Sequence, residues 1–293
     1  MRIAAHLSVK DEIELLPQVI AHLRAIGVDH IIAVDHESTD GTAEFLESCR
    51  GDDFWFETMS DSAPGDAWLE KNLALAKLAK ADWMLFQDAD ELWLPATGNL
   101  KDCVTATDAD LLCVDRFNVV LADAGACLSW PVTPANNDQL LMFVKPIPDF
   151  FNVPLEQQAA PWIVRVPMPK ILARPDRLGT LDNGMHGARG VGGVPLATYV
   201  PVDLVIAHLP FTSRGRFRRK VENIQKLMAM HDDYFGSGMA RQWRRWRDIA
   251  IAGGIDDEFD RQRLCVEDMQ RYRANGTIRS ASEMLRSRDG AGQ

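Results

Sequence analysis

Short apolar runs alternate with helical stripes over the first third of the chain. Ile3 to Val9 can form a strand, and in the following "DEIELLPQVIAHLRAIG" Leu15, Val19 and Leu23 fall with Leu16 and Ile20 on one helical face. Gly27 is a natural stop for that helix. "VDHIIAVD" predicts a buried strand ending at Asp35, and "STDGTAEFLESC" supplies cap and turn chemistry before a second helix. "DAWLEKNLALAKLAKAD" has helical spacing, and "WMLFQ" has the apolar, aromatic character of a central strand, with Asp88 at its C-terminal end. Repeated strand–helix units of this kind predict an α/β fold with a mostly parallel sheet and helices on its faces. Ligands of such sheets collect beyond the carboxyl ends of the strands. Lys10-Asp11, Asp35 and Asp88-Ala89-Asp90 are therefore expected to line one crevice.

Beyond about Gly98 the pattern loosens. Strands are expected within "LLCVDRFNVV", "LLMFVKP" and "WIVRVP", separated by Pro-, Asn- and Ala-rich connections. "GRFRRKVENIQKLMAMHDDYF" and "MARQWRRWRDIAIAGG" read as amphipathic helices with basic faces. In "WRRWRDIA" the indoles are expected to pack on the core while the arginines face out; contact with a glycan or a membrane surface would suit the same pattern.

Composition narrows the class. With 46% hydrophobic and 25% charged residues, the 293-residue chain is expected to be a soluble globule. Its net charge of -10 argues against a nucleic-acid polymer as partner. Five scattered cysteines without a C-x-x-C pair signal neither a disulfide framework nor a zinc-thiolate site, so a reducing compartment is expected. "MRIAAHLSVKDE" meets acidic residues before any signal-like apolar core, and no later run is long enough to span a bilayer. The expected location is cytoplasmic, with membrane contact at most peripheral. Oligomeric state is not legible.

The chemistry concentrates in "DADE", Asp88 to Glu91. Carboxylates one residue apart at a strand end can approach a divalent cation, and Mg2+ or Mn2+ bridges such oxygens to phosphate. Asp-x-Asp is common by chance, and before its context is considered a structural or solubility role at a strand end is the better explanation. No Gly-x-Gly-x-x-Gly follows the first strand, and "GARGVGG" at 187–193 follows no convincing strand, so a dinucleotide fingerprint is not signalled.

The ordered combination of "SVKDEIELLPQVIAHLRAIGVDHIIAVDHESTDGTAEFL", "WMLFQDADELWLP", "KILARPD", "GMHG" and "AHLPFTSRGRFRRK" resembles the family-2-like nucleotide-sugar glycosyltransferases with a GT-A fold. The resemblance covers roughly residues 1–230, leaving 231–293 as a C-terminal helical extension on or beside that domain. It implies that Val9, Lys10, Glu12 and Asp35 hold the nucleoside, with UDP favoured as carrier. It also implies that Asp88 contacts ribose or metal-bound phosphate, that Asp90 is the principal metal ligand, and that His208, just past an apolar strand, meets the metal or diphosphate.

Other candidates rest on position. Asp61, Lys71 and Asn72 form a second group, because a helix following "SDSAPGDA" can carry polar groups over the base; a solvated helix face is the alternative for Lys71. His186 sits among glycines that would let a loop close over the donor, and an ordinary polar loop is the alternative. Arg214, Arg218 and Lys220 can present positive charge to a leaving diphosphate, although "TSRGRF" departs from the family's usual ordering there. Asp40 is expected to order its turn.

The resemblance implies inverting transfer of a sugar from a nucleotide diphosphate to a hydroxyl of a glycan or other acceptor. A carboxylate would take the acceptor proton, and Asp182, Glu156 and Glu91 are the candidates, none in an unmistakable base motif. Two alternatives stay open. A sugar-phosphate nucleotidyltransferase would use a similar sheet, but the Gly-rich basic loop it needs after the first strand is replaced by "SVKDEIE". A noncatalytic nucleotide-sugar or glycan-binding protein would keep the pocket without a working base.

Overall fold

The computed structural model describes residues 1–60, 67–145, 161–230 and 241–289. Elements alternate through the first half: β1 (Ile3–Val9), α1 (Leu16–Ala25), β2 (His30–Asp35), α2 (Thr42–Ser48), β3 (Phe54–Thr58), α3 (Ala67–Leu78) and β4 (Trp83–Asp88). The predicted stripe of α1 is buried at Leu16, Val19, Ile20 and Leu23. Gly27 follows the helix at φ +92°, and a Cβ there would stand 2.6 Å from Oδ1 of Asn99, so both backbone sign and space demand glycine.

The chain continues through β5 (Glu91–Pro95), α4 (Leu100–Thr105), β6 (Leu111–Val114), β7 (Arg116–Asn118), the small hairpin β8 (Leu121–Ala122) and β9 (Gly125–Ala126), and β10 (Leu141–Phe143). Then come β11 (Lys170–Ala173), β12 (Leu178–Leu181), β13 (Ala188–Gly190), β14 (Thr198–Tyr199), β15 (Leu204–His208) and α5 (Arg214–Met230). The C-terminal part holds α6 (Arg241–Ile251), α7 (Ile255–Arg261), α8 (Val266–Ala274), β16 (Ile278–Ser280) and α9 (Ala281–Asp289).

The main sheet runs β14-β6-β11-β4-β1-β2-β3, with β4, β1, β2 and β3 parallel and β11 antiparallel to both its neighbours. Its central strands are buried on both faces, which explains their continuous rather than alternating apolar pattern. This is the helix-flanked, mostly parallel α/β architecture expected of a GT-A-like fold, with a helical extension at its C-terminal side. A second sheet, β5-β15-β7, continues from the end of β4.

The extension is joined to the body by pairing of β16 with β10 and by a shared core in which Phe211 and Phe217 meet Trp246 and Phe259. Among the described residues no helix is long and apolar enough to cross a membrane.

Two stretches of the looser half differ from expectation. "LLCVDRFNVV" divides at Asp115, with β6 in the main sheet and β7 in the second. In "WIVRVP" residues 162–164 form a 3-10 turn, not a strand. Its backbone is satisfied by side chains: Asn118 Nδ2 donates to the carbonyls of Ile163 and Arg165, and Gln262 Oε1 accepts from the Ile163 amide. With those partners no strand ladder is required.

Candidate active site

Strand register builds the site. In the β1–β2 pair Val9 lies opposite Asp35, and in the β1–β4 pair Ser8 lies opposite Asp88, so three carboxyl ends meet at one edge. In the second sheet His208 lies opposite Glu91 on one side and Asn118 on the other. A cavity of about 490 Å³ opens there.

The loop after β1 is tied down by side-chain hydrogen bonds. Asp11 adopts φ +54° and accepts from the Thr39 amide at 2.6 Å and from Asn223 Nδ2 at 2.8 Å. Asp40 accepts from Thr42 Oγ1 at 2.6 Å and from the Ile13 amide at 3.2 Å, so it ties the "STDGT" turn to the start of α1. Lys10 Nζ donates to the His36 carbonyl at 2.7 Å.

"DADE" makes a tight reversal between β4 and β5. Glu91 is wholly buried and caps it, accepting from the Asp88 amide at 3.0 Å and from Arg116 at 2.5 Å. Burial pushes the Glu91 carboxyl up to about 7, against the pull of Lys170 and Arg116. Asp88 lines the cavity and meets Lys170 Nζ at 2.8 Å; against the upward push of burial, Lys170 and Arg116 bring its carboxyl below the ordinary value.

Asp90 Oδ2 receives Lys220 Nζ at 2.8 Å and Arg216 Nη2 at 3.0 Å. Burial opposes ionisation, yet Lys220 and Arg216 hold Asp90 well below the usual carboxylate range. Arg216 is itself fully buried, grips both oxygens of Glu12 at 2.6 and 2.9 Å, and donates to the Leu209 carbonyl at 2.9 Å.

His208 has an assigned tautomer. Both donor contacts of Asn118 go to carbonyls through its Nδ2, so its Oδ1, 2.7 Å from His208 Nδ1, is the acceptor and His208 carries its proton on Nδ1. Burial lowers the imidazole pKa to about 4, so the ring is neutral at pH 7 and its Nε2 is a bare lone pair. That lone pair stands 3.6 Å from Asp90 Oδ1. Two acceptors face each other, an arrangement that a cation relieves. Among the described residues no three His, Cys, Asp or Glu side chains are placed to hold a metal by themselves. The protein can offer two donors here and would leave the remaining positions to phosphate and water, the usual economy of a Mg2+ site.

Of the residues expected at the site, Val9, Lys10, Glu12, Asp88, Asp90, His186, His208 and Lys220 line the cavity. Asp35 is buried at the adjoining strand end, where its Oδ2 accepts from Ser38 and its Oδ1 has no hydrogen-bond partner. His186 donates from Nδ1 to the Pro169 carbonyl at 2.7 Å.

Others are placed elsewhere. Arg214 pairs with Asp260 and Arg218 with Asp256, joining α5 to α7. Lys71 is half exposed and pairs with Glu57 on β3. Asn72 is buried against His6 at 3.1 Å. Glu91 is fully buried and does not line the cavity, and Asp182 is exposed on the loop whose Gly184 and His186 line it. Asp61 and Glu156 lie outside the described residues.

Sequence reasoning missed Arg116, Asn118, Lys170 and Arg216. For Arg216 a signal existed: Arg216, Lys220, Asn223 and Leu227 share one helical face, so a charge occurred on a stripe turned inward. For Lys170 and Asn118 only the strand pairing reveals the role.

No known protein-family model matches the chain, and no curated protein matches its sequence. Solved structures show partial likeness. Staphylococcus aureus TarS 1-349 aligns at 13% identity over 89% of this chain and 71% of that one, with a TM-score of 0.40. The same protein in complex with UDP-GlcNAc aligns at 19% identity over 41% of this chain and 35% of that one, with a TM-score of 0.33. Glucosyl-3-phosphoglycerate synthase from Mycobacterium tuberculosis, in complex with Mn2+, UDP and glucosyl-3-phosphoglycerate, aligns at 18% identity over 40% of this chain and 44% of that one, with a TM-score of 0.29.

Proposed function

We propose that the protein is a nucleotide-sugar-dependent glycosyltransferase that moves a sugar from a nucleotide diphosphate, UDP in the first instance, to an acceptor hydroxyl with inversion. The observation that carries this reading is the cavity edge where Asp88, Asp90 and the lone pair of His208 converge beyond the strand ends. Three further features support it. Asp35 Oδ1, buried without a partner opposite Val9, suits a hydrogen-bond donor of a nucleoside. Lys220 reaches the cavity from α5 and offers charge to a diphosphate. Asn118 accepts from His208 Nδ1 and so fixes the tautomer that leaves Nε2 free for a cation, as the hydrogen-bond partners of metal-bound histidines do.

On this reading Asp90 Oδ1 and His208 Nε2 would hold Mg2+ or Mn2+, and Asp88 would face the ribose or a cation-bound phosphate. The cation would supply neutralisation of the departing diphosphate. Lys10, with its amine tied to the loop after β2, and Glu12, clamped by Arg216, keep the nucleoside wall rigid. Asp182, on the loop that carries His186, would take the acceptor proton after that loop closes on the donor.

Calorimetric titration with UDP, GDP and their sugars, with and without Mn2+, tests the proposal. Cation-dependent binding of a nucleotide sugar, abolished in a folded Asp90→Ala variant, is expected. Absence of binding across the panel would overturn it.

A further inference from the structure

Two halves of the cavity differ in chemistry. At the strand ends it is ionic, while on the opposite wall the α5 stripe passes from Lys220 and Asn223 to Ile224 and Leu227. Facing that stripe stand Gln242, Trp243 and Trp246 of α6, with Trp162 between them and the strand ends. Trp162 is edge-on to His208 at 6.3 Å and to Trp246 at 5.4 Å, so the indole wall begins beside the residue proposed to meet the cation.

This wall is unlike an ordinary core edge. Trp246 is 2% exposed and belongs to the second core, but Trp162 and Trp243 are only partly buried and pack on that core from the cavity side. Partly exposed indoles beside amide side chains, all lining one cavity, make a recognisable surface. The face of an indole is electron-rich and attracts weakly polarised C–H groups. A pyranose ring presents such C–H groups on its faces and hydroxyls on its rim, which amides such as Gln242 and Asn223 can hydrogen-bond. A purely aliphatic ligand would gain nothing from the amides, and a free anion would gain nothing from the indoles.

We infer that the wall formed by Trp162, Trp243 and Gln242 is an acceptor subsite for a carbohydrate, with a sugar ring held against Trp243 and its reacting hydroxyl turned toward the ionic end. The inference rests on the proposed glycosyltransferase reading for the word acceptor, but saccharide binding to this wall is independent of it. The basic, tryptophan-containing stretch of α6 thereby has a role toward the cavity, while its Arg245 packs inward against α7 and pairs with the buried Glu258.

The test is direct binding, followed by intrinsic tryptophan fluorescence, of glucose, galactose, N-acetylglucosamine and their β1,4-linked disaccharides, with octanol and benzyl alcohol as comparison probes. Saturable spectral change with at least one saccharide is expected, weakened roughly tenfold or more in Trp243→Ala and restored in large part in Trp243→Phe. Nucleotide binding by calorimetry should be unchanged in both variants, which also shows that they are folded. Saccharide binding without nucleotide binding would remove the glycosyltransferase reading and leave this inference standing. Nucleotide binding with no response to any saccharide, a response to the alcohols alone, or saccharide binding indifferent to Trp243→Ala would overturn the inference.

Discussion

Replacing Arg216 by methionine removes a guanidinium that joins the loop after β1 to the "DADE" turn. The side chain is 1% exposed and makes four hydrogen bonds, two to Glu12, one to Asp90 and one to the Leu209 carbonyl. Methionine fills much of the stem volume, so the cavity term is small and the loss is mainly electrostatic. Glu12 would be left without its bidentate partner, and Asp90 Oδ2 would retain Lys220 alone. Removing one member of a buried ion pair costs about 3–5 kcal/mol, chiefly because the other charge stays desolvated. For a chain of this size that is a fall in Tm of roughly 6–10 °C, at about 2 °C per kcal/mol. Urea denaturation followed by tryptophan fluorescence reads it directly, provided the slope with urea is unchanged. Lys220→Met is the control: its side chain is partly solvated, so its loss should cost about 1 kcal/mol. Glu12→Gln combined with Arg216→Met should be less damaging than the sum of the two, since the interaction energy of contacting residues runs to about 0.5–3 kcal/mol. An Arg216→Met cost no greater than that of Lys220→Met would refute the clamp, because it would mean that both carboxylates find water.

Three further outcomes are expected. His6 is buried and its pKa is lowered to about 4, so the unfolded chain binds the extra proton first as pH falls; stability is full above the ordinary value of 6.5 and is lost toward 4, by about 3 kcal/mol from this group. Urea midpoints at about pH 7.5 and about pH 5 should differ in the wild type and differ less in His6→Asn; an unchanged difference would count against the assignment. Asn118→Ala should weaken Mn2+-dependent nucleotide binding about 10–100-fold by freeing the His208 tautomer, and calorimetry that finds no change would remove Asn118 from the site. Asp182→Asn should lower the transfer rate about 100-fold or more while nucleotide affinity holds, and an unaltered rate would exclude Asp182 as the base.

Much of the first half was legible because its signals are local. The spacing of Leu16, Val19, Ile20 and Leu23, the glycine after α1 and the apolar runs ending at Val9, Asp35 and Asp88 specify elements that each need only their own residues. The parallel order then places those ends on one edge. "WIVRVP" was misread because its hydrogen-bond partners, Asn118 and Gln262, come from remote positions that no window along the chain contains.

The same division runs through the site. Sequence alone determined that Asp88 and Asp90 flank a strand end and that His208 lies at the end of another, which the structure makes the last residue of β15. Only the tertiary structure decided which cations meet them. Arg214 and Arg216 are two residues apart, hence on nearly opposite faces of α5; one turns to α7 and the other to Asp90. Composition records both as basic, but a face has no identity until its neighbour is packed. Likewise Lys170 became the partner of Asp88 through the β11–β4 pairing, and Asn118 the partner of His208 through the β7–β15 register. Periodicity is written along the chain, whereas charge pairing across strands depends on contacts that exist only after the sheet has closed.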